Sequence, residues 1–209
     1  MTRRTVTPAT AARLLALAAC GSQAQKADAE PPAGSAAVAQ NDLHCTPSSN
    51  MAPQGRPSAY DSTTVPLGDA AALVCYGRPQ AKGRTIFGGL IPYGQLWRTG
   101  ANEPTIIHLP VAASIAGIPV QPGSYSIYTV PGETEWTVIV NRSTSQWGIE
   151  SQYTPAVQAQ EVGRARVPSA RTSAPVEEFT IRANPRGNGG SDLVLEWENT
   201  RVVVPVTRG

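Results

Sequence analysis

Between Tyr76 and Glu103 the chain gathers Arg78, Arg84, Tyr93, Trp97, Arg98, Asn102 and Glu103, interleaved with Gly83, Gly88, Gly89, Gly94 and Gly100. Arginine offers a planar fork of donors that suits carboxylate, phosphate or sulfate, and Trp or Tyr offers a flat face for stacking. Glycine lets backbone approach a ligand closely. These types point to a site for an anionic or saccharide-like ligand near Arg84, Trp97, Arg98 and Asn102, with Arg78, Tyr93 and Glu103 beside it. The same residues also have a structural use. Glu103 can pair with Arg78 or Arg98 to fasten a long loop, Trp97 can plug a core, and Asn102 can support a turn. Both readings stand on the sequence alone.

The material for catalysis is thinner. His108 shares one side of an apolar strand with Ile106, while Ile107 and Leu109 take the other. With Glu103 it gives the one acid–base pair that a small β-barrel hydrolase or isomerase would use, and it would need a partner within hydrogen-bond reach. No G-x-S-x-G elbow, HExxH zinc motif or EF-hand loop occurs. Glu133 and Glu135 follow the Pro131-Gly132 turn, where solvated acids are expected, and Glu196 and Glu198 read as a solvated sheet face. Gln146-Trp147-Gly148 is a second aromatic contact or a packed turn. Nothing assembles a reaction, so a binding module is preferred to an enzyme, with no catalytic residue, cofactor or metal assigned.

The elements that must position these side chains are strands. Residues 70–76 and 105–109 are apolar runs of strand length. Residues 114–120 cross a turn at Ala116-Gly117, and Gln121-Pro122-Gly123 makes another. Residues 123–130 alternate Tyr125, Ile127 and Thr129 against Ser124, Ser126 and Tyr128; residues 135–141 alternate Trp136, Val138 and Val140 against Thr137 and Asn141. Residues 164–167, 176–183, 192–198 and 201–206 complete the set, with a tight connection at Asn199-Thr200. One short helix fits at 153–160, where Pro155 near the start is permitted. Many short strands with frequent turns predict an all-β, antiparallel sandwich or barrel of jelly-roll type, carrying a long ordered loop at about 77–103.

Composition bounds the rest. Of 209 residues, 17 are Lys or Arg and 15 are Asp or Glu, with no basic block, which excludes a nucleic-acid partner. Arg3 and Arg4 precede the apolar residues 14–19, which then meet Cys20; a positive start, an apolar stretch and small residues are what a secretion signal requires. The stretch is shorter than the roughly 20 residues needed to span a bilayer. Leu17-Ala18-Ala19-Cys20 resembles a bacterial lipobox, which implies an acylated Cys20, a membrane anchor, and with Gly21 next a place on the periplasmic side of the outer membrane. An ordinary secretion signal is the alternative. Residues 1–19 hold three arginines and no acid, so the remainder has 14 basic against 15 acidic residues, and global charge implies no anionic partner.

Residues 20–41 lack any apolar period and read as a flexible tether, leaving 42–209 as a single domain with a Pro- and Gly-punctuated lead-in at 42–69. Cys45 and Cys75 remain as an even pair for an oxidising compartment, and a bridge would pin the lead-in onto the first good strand. A thiolate metal site with His44 is the rival, short of a tetrahedral set.

The words Trp97-Arg98-Thr99-Gly100-Ala101-Asn102-Glu103, Pro122-Gly123-Ser124-Tyr125-Ser126, Gln146-Trp147-Gly148 and Leu195-Glu196-Trp197-Glu198-Asn199 resemble a bacterial envelope family catalogued as domain of unknown function 2911. Matching words run from about Tyr76 to Val206. The resemblance implies a secreted or lipid-anchored β-rich protein; it brings no reaction, ligand or catalytic residue. Members more often carry an acid where Cys75 stands, which singles out the Cys45–Cys75 pair. A saccharide or another envelope protein is the expected partner, with the loop as contact surface.

Overall fold

The alternation of apolar and polar residues resolves into nine strands. The computed structural model describes residues 43–47 and 56–209. The strands are β1 (Ala59–Leu67), β2 (Ala70–Arg78), β3 (Thr105–Leu109), β4 (Ala113–Ile115), β5 (Ile118–Val120), β6 (Gly123–Val130), β7 (Glu135–Asn141), β8 (Glu161–Pro185) and β9 (Ser191–Arg208). A 3-10 turn at Glu150–Gln152 leads into the short helix α1 (Pro155–Gln158). Thr154 caps that helix through Val157 N–H, and Pro155 sits in its first turn, where a missing N–H costs nothing. The expected signal at 1–19, Cys20 and the expected tether fall outside the described residues.

All strands join one antiparallel sheet in the order β1-β2-β3-β6-β7-β8-β9-β4-β5. The all-β antiparallel expectation therefore holds, in the form of one large open sheet. β8 serves two neighbours in turn. Its first part pairs with β7 as far as Pro168, and from Ser169 onward it pairs with β9. Register shifts between Arg171 and Thr180 make room for extra residues, so the run at 171–175 arches outward and is largely exposed. Two pairs of expected strands are thus single long ones. Residues 164–167 and 176–183 belong to β8, while 192–198 and 201–206 belong to β9. The expected break at Asn199-Thr200 is a kink within β9, where Glu198 takes φ 52°.

β1 lies in the stretch expected to be a lead-in. Only Val65 and Leu67 of its nine residues are buried, and Pro66 interrupts it, as an edge strand tolerates. Side chains tie β1 and β2 to β8 and β9 across the core. Thr63 Oγ1 donates to Ile181 O at 2.6 Å, Ser191 Oγ donates to Pro66 O at 2.6 Å, and the Tyr76 hydroxyl accepts from Ile181 N at 3.1 Å. Cys45 and Cys75 are bonded, with Cα atoms 5.7 Å apart, so residues 43–47 are fastened to β2.

The core is unusually aromatic for a chain with 6% aromatic residues, because most of its large rings converge. Trp97 lies 5.5 Å from Phe87, 5.9 Å from Trp136, 5.1 Å from Phe179 and 5.9 Å from Trp197. Trp136, Phe179 and Trp197 come from β7, β8 and β9, whereas Phe87 and Trp97 come from the long connection between β2 and β3. That connection is ordered because it supplies core.

Candidate functional site

The β2–β3 connection is held at three places. Trp97 and Thr129 exchange both backbone hydrogen bonds, at 2.7 and 2.9 Å, so Trp97 briefly extends the sheet beside β6. The Trp97 indole N–H donates to Gly100 O at 3.1 Å, and Thr105 Oγ1 donates to Thr99 O at 2.5 Å. At Gly77 the return stretch touches β2 so closely that a Cβ there would fall onto the Ala101 carbonyl oxygen. Thr99 and Asn102 adopt φ 58° and 67°, conformations that L residues rarely take.

Between this return stretch and the segment carrying Glu150 and Tyr153 lies a cleft of about 420 Å³. Leu90, Pro92, Leu96 and Trp197 form apolar wall, and Arg98, Gln95, Glu150 and Tyr153 bring polar groups. Arg98 is its distinctive member. Its Nε and Nη1 are buried yet make no hydrogen bond, and its nearest counter-charge, Glu150 Oε1, stands 3.5 Å from Nη1. The Arg98 side chain is 24% exposed and that of Glu150 is 49% exposed, so the pair is loose and open to solvent on the acidic side.

A hydrogen-bonded group supports the wall. The ring of Tyr153 stands edge-on to buried Tyr128, centroids 4.6 Å apart. Tyr153 donates its hydroxyl to Glu161 Oε1 at 2.7 Å and accepts from Asn141 Nδ2 at 3.3 Å. Arg164 grips both oxygens of Glu161 at 2.8 Å. The Tyr128 hydroxyl accepts from Gln146 Nε2 at 3.1 Å. Burial raises the pKa of both tyrosines, and for Tyr153 the hydrogen bond to Glu161 adds to it. The Arg164 hydrogen bonds hold Glu161 below its usual range, outweighing the opposite pull of burial. These contacts fix Tyr153 in the cleft wall.

The residues singled out in the sequence scatter over several surroundings. Trp97 lines the cleft but is a core residue, 3% exposed, packed among Phe87, Trp136, Phe179 and Trp197. Glu103 is 4% exposed and pairs with Arg56 at 2.6 Å, not with Arg78 or Arg98. Arg56 lies just ahead of β1, so this buried pair fastens the end of the connection to the lead-in. Arg78 instead pairs with Asp61 at 2.9 Å and Glu178 at 2.7 Å. Arg84 donates to Ala81 O at 2.9 Å and Gln80 O at 2.7 Å, tightening its own turn. Asn102 carries a positive φ, and its Nδ2 is buried without a partner. Tyr93 is 42% exposed and lines a different cleft. Of the seven, Trp97 and Arg98 border the Arg98 cleft.

His108 and Glu103 sit in separate surroundings. His108 Nδ1 hydrogen-bonds Ser124 Oγ at 2.7 Å on the outer side of β3. Burial, with help from the charge of His44, lowers its pKa. Glu198 is not merely solvated, because its carboxylate accepts from Ile86 N–H at 3.1 Å and so anchors the connection. Gln146-Trp147-Gly148 is a packed turn, with Gly148 N–H donating to Asn102 O at 3.1 Å. Among the described residues no three His, Cys, Asp or Glu side chains gather to hold a metal. Glu150, Tyr153 and Glu161 went unrecognised because they lie about fifty residues or more downstream of Arg98 and form no motif with it.

Sheet and cleft together define an all-β domain whose long ordered connection both fills the core and borders a concavity. The chain belongs to a family described as protein of unknown function (DUF2911), matched over residues 58–206. The match spans nearly all of β1 to β9, while Cys45 and Arg56, which fasten the lead-in, lie outside it. No curated protein and no solved structure matches the chain.

Proposed function

We propose that the protein is an exported, lipid-anchored binding module of the cell envelope, and that its cleft takes a small organic anion with an apolar body. The observation that carries the binding reading is Arg98, with two buried guanidinium donors lacking hydrogen bonds beside a mostly apolar wall. Leaving such donors unpaired is unfavourable, and a carboxylate or phosphate oxygen would satisfy them with charge-assisted bonds. The cleft falls in the size range of small-molecule sites, about 300–1,000 Å³. Glu150 holds the place in the free protein, and an incoming anion displaces its carboxylate. Export is supported by the lipobox-like Leu17-Ala18-Ala19-Cys20 and by the Cys45–Cys75 bond, which suits an oxidising compartment. Acylated Cys20 would keep the domain on the periplasmic side of the outer membrane.

Calorimetric titration with hexanoate, octanoate, decanoate and octyl phosphate, using octanamide as neutral control, tests the site. Binding should strengthen with chain length, vanish for octanamide, weaken at least tenfold in Arg98→Met and tighten in Glu150→Gln. Equal binding by Arg98→Met, or silence from all four anions, would overturn the reading. Labelling with radioactive palmitate in wild type but not Cys20→Ala tests the anchor; no label on wild type would remove it.

A further inference from the structure

A second cleft, of about 430 Å³, shares no lining residue with the first. Its character is opposite. Nine of its eleven lining residues carry polar side chains, and Glu133, Glu198 and Arg171 leave one net negative charge, which disfavours an anion. Rising among them is Tyr93, one of three large hydrophobic side chains exposed among the described residues. The ring is held, not loose. It lies against Gly88, where a Cβ would come 2.7 Å from Tyr93 Cε2 and where φ is 82°. The next residue, Gly94, donates its N–H to Pro131 O at 2.8 Å.

The cleft does not end at Glu198. A smaller hollow of about 240 Å³ shares Thr85 and Glu198 with it and reaches Arg84 and Pro175, under the outward arch of β8. The two hollows adjoin at those shared residues and together offer more room than a single ring requires. A pyranose ring has apolar C–H faces and a rim of hydroxyls that both donate and accept. A fixed aromatic face with carboxylate, amide, hydroxyl and guanidinium groups around it is complementary to that pattern. We propose that the groove from Tyr93 past Glu198 to Arg84 binds a neutral oligosaccharide, with one sugar ring stacked on Tyr93. Asn199, Thr200, Arg171 and Glu133 address its hydroxyls, and the hollow beside Arg84 takes the following sugar. This site is independent of Arg98 and of the anion it would bind.

The test titrates the full chain with chitotetraose, cellotetraose, maltotetraose and xylotetraose, following heat and thermal unfolding. At least one tetraose should bind, at least tenfold tighter than its own monosaccharide. Tyr93→Ala should weaken it at least tenfold, Tyr93→Phe should stay within about threefold, and Arg98→Met should leave it unchanged. Unfolding temperatures of the variants separate loss of the ring from loss of the fold. Gly88→Ala, which must push the ring aside, should behave like Tyr93→Ala toward the sugar. The proposal is overturned if none of the four tetraoses binds at millimolar concentration, if Tyr93→Ala binds as well as wild type, or if tetra-alanine binds while the sugars do not.

Discussion

Replacing Arg98 by Met should make the ligand-free protein more stable while removing its anion binding. The arginine buries Nε and Nη1 without hydrogen bonds. An unsatisfied buried donor costs about 1–3 kcal/mol. The side chain is 24% exposed, and Glu150 at 3.5 Å returns some attraction, so only part of that cost applies. Methionine keeps most of the apolar stem and adapts to irregular gaps, which limits the packing loss. The balance is a gain of about 1 kcal/mol, or roughly 3 °C in Tm for a domain of this size. Calorimetric unfolding and urea titration of both proteins, without added anion, measure it. A gain alongside lost binding is the usual trade between a site's chemistry and stability. If Arg98→Met instead loses more than about 2 kcal/mol, the guanidinium is a satisfied structural group and not a free anion-binding donor.

Three further outcomes follow from the fold. Cutting the Cys45–Cys75 bond by Cys45→Ser frees a loop of 30 residues and should cost about 3–4 kcal/mol, with dithiothreitol destabilising wild type but not the variant in urea unfolding. Burial lowers the His108 pKa from 6.5, so the folded state binds fewer protons than the unfolded chain as pH falls through that value. Stability is therefore full above about pH 6.5 and declines below it, down to the folded pKa; thermal scans from pH 7.5 to 5.5 should show a smaller decline in His108→Asn. Gly77→Ala, whose Cβ would collide with the Ala101 carbonyl, should lose about 2 kcal/mol or more by urea denaturation and weaken alkanoate binding, because it displaces the stretch that carries Arg98.

Much of the fold was legible because most strands obey simple alternation. β3, β6 and β7 appear with the expected bounds, and the Cys45–Cys75 pairing was expected from an even number of remaining cysteines. β1 was hidden because an edge strand with two buried side chains and a proline has no continuous apolar pattern. The joining of two expected strands into β8 was hidden by the exposed arch at 171–175, whose Ala174-Pro175 looks like a boundary while pairing with β9 resumes beyond it. For the candidate site, composition singled out the segment that carries Arg98, and packing distributes the other named residues over separate surroundings. A tryptophan in a glycine-rich loop reads equally as a ligand face or a core plug, and four converging rings from β7, β8, β9 and Phe87 decide for the core. Nothing local could show that Glu103 meets Arg56, or that Glu150 meets Arg98. Those pairings depend on how distant segments pack, and β1 had to be placed before Arg56 could be.

The most direct measurement follows the Arg98 Nε–H resonance in nitrogen-15 correlation spectra while octanoate is added. The Arg98→Met spectrum supplies the assignment. The signal should move downfield in both dimensions and saturate with the calorimetric binding curve, as a free donor acquires a carboxylate acceptor. A signal that stays still while octanoate binds, or one that matches a strongly hydrogen-bonded guanidinium before any addition, would contradict the account.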